Sequence, residues 1–121
     1  RLARQTQRPV RIRPHPGNWQ KQCTTEELLE SLKRDLERCW CVVTWASGAG
    51  IHALIAGVPV IYEGPWWILG QAASRDIAAV EAPPLPERAP AFERLACAQW
   101  TVSEIESGEP FRRLLDVSLD R

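Results

Sequence analysis

The sequence predicts an α/β domain with a short parallel sheet flanked by helices, followed by further helices. Three observations carry that prediction. Short β-branched runs alternate with stretches of helical period, which is the pattern of βαβ units. A Ser47-Gly48-Ala49-Gly50 turn lies between one such run and an apolar helix, and a second run is stopped by Arg13-Pro14-His15-Pro16. Turns of this kind at the carboxyl ends of parallel strands are where open α/β sheets take anionic ligands.

Taken in order, Pro9 to Arg13 alternates Val10 and Ile12 with Arg11 and Arg13, as a strand with one wet face would. Pro14 and Pro16 end it, because proline lacks the ladder donor. Thr24-Thr25-Glu26-Glu27 opens a helix with a Thr N-cap and acids in its first turn, and Leu28, Leu29, Leu32 and Leu36 give it one apolar stripe to about Arg38. Cys41-Val42-Val43-Thr44 reads as a buried parallel strand, and Ile51 to Ala56 as a small helix, apolar all round, that ends at Gly57. Val58-Pro59-Val60-Ile61-Tyr62 is the next strand, with Pro59 at its start. Beyond Gly64-Pro65 the pattern loosens to a short helix within 66–74 and a last strand at 77–80. Ala82 to Pro86 is an extended proline-rich connector, after which helices are expected from Pro90 to Trp100, from Thr101 with a Ser/Thr cap, and from Phe111 to Leu115. One domain is expected over 1–121, with its core at about 8–81 and a helical segment at about 88–116.

Composition excludes several function classes. A 45% hydrophobic and 25% charged chain is globular, and zero formal net charge gives no field for nucleic acid or anionic membranes. The charge is uneven, however: Arg1, Arg4, Arg8, Arg11, Arg13 and Lys21 precede the first acid. That basic stretch is either a solvated edge or a lip beside a phosphate site. Cys23, Cys39, Cys41 and Cys97 form no metal spacing with His15 or His52; all four read as reduced, structural thiols of a cytoplasmic protein, with Cys41 and Cys97 buried in apolar elements. No run is long enough to span a bilayer. Absence of Met and an Arg at position 1 lead to the expectation of a processed or partial chain.

The chemistry on offer is the holding of an anion. Ser47, Gly48, Ala49 and Gly50 present backbone N–H groups at the positive end of a helix, and the Ser47 hydroxyl adds a donor or a cap. The bland alternative is a tight turn whose glycines serve packing. His15, rigid between two prolines, and Arg13 could add charge to the same ligand, and His52 lies on the first turn of the following helix. Glu63, at the end of the third strand, could accept from a sugar or ribose hydroxyl, and Trp66-Trp67 is either an aromatic lid or core. No Walker loop, no complete Gly-x-Gly-x-x-Gly, no Ser-His-Asp elbow and no carboxylate cluster is present.

Two motifs resemble a known family. Arg13-Pro14-His15-Pro16 is similar to a His-Pro motif. Thr44-x-x-Ser47, with Gly50-x-x-Ala53-Leu54-x-x-Gly57-x-Pro59-Val60-Ile61, is similar to a Ser/Thr motif. Both occur in the C-terminal, nucleotide-binding half of GT-B-type transferases that make capsular and cell-wall polymers, such as Kdo, sialic acid and CDP-glycerol transferases. The resemblance covers about 8–64, and the Gly50–Ile61 part is shared with nucleotide-sugar epimerases. It implies a three-layer Rossmann-like domain in which Arg13, His15, Thr44, Ser47, Gly48, Ala49 and Gly50 hold the donor phosphates. His52 and Glu63 then face ribose or sugar, although many relatives carry Glu where His52 stands. The implied substrate is a CMP-, CDP- or UDP-linked sugar or polyol, with no separate cofactor. An N-terminal half or partner chain is then needed for acceptor and base. The tail 99–111 also resembles sequence of bacteriophage and prophage proteins. The rival expectation is a non-catalytic binding or assembly module of such a protein, favoured by the lack of an N-terminal half and of an obvious base, with Trp66, Trp67 and Trp100 as its contacts.

Overall fold

Val60, Ile61 and Tyr62 are all buried, and the chain is arranged around them. The computed structural model describes residues 2–14 and 23–119, and it is mixed α/β. Its elements are α1 (Thr25–Leu36), β1 (Val42–Thr44), α2 (Gly48–Ile55), β2 (Val60–Tyr62), α3 (Ala89–Cys97), α4 (Val102–Glu106) and α5 (Glu109–Leu119). Short 3-10 turns lie at Leu2–Arg4, Gly70–Ala72 and Ile77–Glu81. No helix among the described residues is long and apolar enough to cross a membrane.

β1 and β2 pair in parallel, with Val42 opposite Val60, Val43 opposite Ile61 and Thr44 opposite Tyr62. The ladder continues past the strands, as Glu63 N–H donates to the Thr44 carbonyl (3.0 Å) and Gly64 N–H to that of Trp45 (2.7 Å). On its other side β2 takes a one-residue parallel bridge from Ser74, through Tyr62 N–H to Ser74 O and Ser74 N–H to Val60 O, both 2.9 Å. β2 is therefore central and dry. β1 is an edge strand and only half-buried, where the sequence predicted full burial.

α2 crosses between the two strands and supplies Ala53 and Leu54 to the core, which Val60, Ile61, Leu69 and Ala72 continue. Its C-terminus is closed as the sequence predicts. Gly57 (φ 80°) bonds back to Leu54 O and Val58 N–H to Ala53 O, the two bonds of a Schellman motif. Arg88, just before α3, donates a further bond to the Leu54 carbonyl, placing a cation at the negative end of the helix. α1 and α4 both begin with a capping box, Thr24 with Glu27 and Thr101 with Glu104. Leu36 of α1 and Ala91 of α3 are buried, with Leu32, Phe92 and Leu95 packed against the core. His52, Ile55 and Ala56 are exposed, so α2 is amphipathic rather than apolar all round.

Two predicted elements are corrected. Residues 9–13 form no strand: Arg11 and Arg13 pair with the two oxygens of Asp35 on α1 (2.7 and 2.6 Å), and Val10 and Ile12 are exposed. The alternation there serves ion pairing and not a sheet. Residues 77–80 lie in a 3-10 turn because the Asp76 carboxylate accepts the Ala78 N–H (2.9 Å) and caps it locally, while Ser74 takes the sheet position. The short helix expected within 66–74 is the 3-10 turn Gly70–Ala72.

Trp67 closes the N-terminal end of α2. A Cβ on Gly50 would sit 2.7 and 2.9 Å from the Trp67 ring, so the indole lies directly on the glycine backbone. Trp67 also packs on Tyr62 (ring centroids 5.7 Å apart). Gly50→Ala should therefore cost about 1–3 kcal/mol in urea unfolding. In Trp67→Leu the same change should cost much less, and additive losses would refute the contact.

Candidate phosphate-facing turn

The turn after β1 is built by its own hydroxyls. Thr44 Oγ1 accepts the Ser47 N–H (3.2 Å), holding Ser47 in an extended conformation that makes it the N-cap of α2. Ser47 Oγ in turn accepts from Ala49 N–H (3.2 Å), and the Ser47 carbonyl takes Gly50 N–H (3.1 Å). Two of the first-turn donors are thus satisfied locally. The Gly48 N–H is left at the helix mouth, where helices lack internal acceptors. No acidic side chain occupies the first turn to offset the positive end of the dipole.

The two glycines play different parts. Gly50 is buried under Trp67, so its small size is explained by packing. Gly48 is exposed, its φ is not positive, and a Cβ there would meet nothing within 4 Å. Nothing among the described residues requires glycine at 48. An α2 residue one turn on, His52, shares that exposed face with it.

Glu63 is brought to the same end of the sheet, half-buried and joined through its N–H to Thr44. Thr44, Ser47, Gly48, Ala49, Gly50, His52 and Glu63 are therefore gathered around one strand end. Arg13 is not among them. It donates to Ser31 Oγ (3.2 Å) and the Leu28 carbonyl (3.1 Å) besides pairing with Asp35, so its guanidinium is committed to α1. His15 lies outside the described residues.

The aromatic pair divides. Trp67 is core, 6% exposed, whereas Trp66 is 72% exposed. Trp45, directly after β1, is 67% exposed, and its carbonyl packs against Gly64. Sequence reasoning missed Trp45. Its signal was a large aromatic inside Thr44-x-x-Ser47, where neither strand nor helix has use for it. Trp100 is half-buried, with the Arg113 guanidinium 5.6 Å from its ring centroid.

All four cysteines are free thiols, and the expected burial of Cys97 is corrected: Cys23 and Cys97 are exposed. Burial, with the Cys39 thiol beside it, pushes Cys41 from 9.0 up to about 11. Burial raises Cys39, a backbone hydrogen bond at Cys41 works against it, and the Asp35 carboxylate raises it further. Among the described residues no group of three or more His, Cys, Asp or Glu is placed to hold a metal. The folded chain keeps the Cys41 proton above pH 9.0, where the unfolded chain releases it. Stability is then fully present below that pH and declines toward about 11. Urea midpoints measured across this window should fall with rising pH, and Cys41→Ala should flatten the fall. An equally steep fall in Cys41→Ala would contradict the assignment. No protein-family model matches the chain, and no curated protein or solved structure is found similar to it.

Proposed function

We propose that the chain is the nucleotide-binding part of a GT-B-like glycosyltransferase, a Rossmann-like domain whose turn at 47–50 holds the phosphates of a sugar or polyol donor. Gly48 carries the reading. It is a glycine at the mouth of α2 with an open face and no internal reason for lacking a side chain, as close approach of a phosphate requires. The βαβ order, with both strand ends meeting at Thr44 and Glu63, supports it. In this reading the Gly48 N–H and the dipole of α2 stabilise the leaving phosphate, and His52 and Glu63 address ribose or sugar. The exposed Trp45 and Trp66 border the ligand. Acceptor binding and the base come from an N-terminal domain or partner chain.

Calorimetry with CMP, CDP and UDP tests this. At least one should bind, and Gly48→Ala should weaken it by about tenfold, because the added methyl obstructs close approach of the phosphate to the backbone. The same change should leave unfolding within about 0.5 kcal/mol of wild type, since the added methyl meets nothing. His15→Ala and Ser47→Ala should also weaken binding, the latter with about 1 kcal/mol of lost stability as the cap is removed. No binding of any of the three at millimolar concentration would end the reading.

One observation favours the assembly-module alternative. α4 and α5 expose Val102, Ile105, Phe111, Leu114 and Leu115 together. If that face joins copies of the chain, light scattering should show a stable oligomer that Phe111→Asp dissociates. A monomer at high micromolar concentration would count against it.

A further inference from the structure

We infer a second binding site, on the outer edge of β1, for a small monoanion with an apolar body: a carboxylate. The two bonds that close the β1–β2 ladder come from Val42 N–H and go to Thr44 O, so those residues face β2. The alternation of a strand then turns the Val43 N–H and C=O toward the opposite edge, which pairs with no strand among the described residues. That edge opens into a groove of about 390 Å3, within the range that takes a small molecule. Ser47, Gly48 and His52 do not line it, so it is separate from the turn described above.

The groove is walled by the N-terminal segment. Thr6, Gln7 and Arg8 are tied to Glu81, and Arg11 to Asp35, so the chain between them stands across the edge of β1 without pairing to it. Trp40 forms part of the wall and is pinned there, its Nε1–H donating to the Val80 carbonyl (2.9 Å) and its ring covered by Arg8 at 3.9 Å. Val10, Val43 and Val80 supply an apolar lining.

Its charge balance selects the ligand. Among the described residues the groove is lined by three arginines, Arg8, Arg11 and Arg38, and one acid, Asp35. Asp35 is already paired twice, by Arg11 and Arg13, and Arg8 is paired with Glu81. Arg38 is left as the lining cation with no ion pair among the described residues. A carboxylate can accept from the Val43 N–H and from Arg38 while its apolar body displaces water from the valines. The thiols of Cys39 and Cys41 also line the groove and report on its occupancy.

The probe is 1-naphthoate, with 1-naphthalenemethanol as its neutral counterpart. Millimolar naphthoate should shift the Val43 amide and Trp40 indole resonances. It should slow alkylation of Cys39 and Cys41 severalfold at about pH 10, near enough to the Cys41 value of about 11 for thiolate to form, leaving Cys23 and Cys97 unaffected. The alcohol should bind about tenfold more weakly. Arg38→Glu should weaken naphthoate by about tenfold, and Arg38→Lys should restore most of that loss, with melting curves confirming that both fold. Equal binding of acid and alcohol, equal protection of all four cysteines, or no protection at all would overturn the site. Unchanged affinity in Arg38→Glu would do the same. These readouts are independent of nucleotide binding at the 47–50 turn.

Discussion

The seat of Trp67 on Gly50 is the contact on which the arrangement of this chain turns. It joins the loop that follows β2 to the first turn of the helix that follows β1, and both strand ends are thereby held in one place. The indole is buried, packs on Tyr62, and leaves no room for even a methyl group at position 50. Because Gly50 faces inward against it, Gly48 and His52 are turned outward. The packing of one glycine thus sets the accessibility of the other. At the far end of α2 the Schellman closure at Gly57 and the bond from Arg88 hold the helix again, so its mouth is presented by a body fixed at both ends. Donors held in this way lose little freedom when a ligand arrives.

What could be read from the sequence is what is local. The Thr24 and Thr101 caps, the Ser47 N-cap and the Gly57 terminus each depend on residues within a turn of one another, and each appears where its residues stand. The Val58–Tyr62 strand was legible because a dry, β-branched run bounded by Gly57 and Gly64 has few other uses. The misreadings share a different cause. Val10 and Ile12 alternate with arginines that answer to Asp35, more than twenty residues away, and period alone cannot tell such a segment from a strand. Ile77 to Val80 has β-forming composition, yet the Asp76 side chain caps it first. The fate of the two tryptophans after Pro65 depends on which one finds Gly50, a tertiary fact.

The site shows the same division. Its turn was legible from Ser47 and the glycines, while the separate roles of Gly48 and Gly50 were not, since one letter stands for a packing need at 50 and for open space at 48. Arg13 was read toward the ligand from its neighbours in sequence, but three acceptors on α1 claim its guanidinium. Trp45 joined the site only once Gly64 was seen lying on its carbonyl.

The uncovered flank of β1 has a bearing on how copies of this chain meet. A strand edge with a free amide and carbonyl at Val43 invites pairing with the like edge of another molecule, which is how soluble proteins begin to aggregate. Here the approach is obstructed by residues 6–13, held to Glu81 at one end and Asp35 at the other. Two such edges brought together would set these segments against each other. The segment that failed to become a strand thereby acts as a guard, keeping the sheet open to a small ligand while closing it to another sheet.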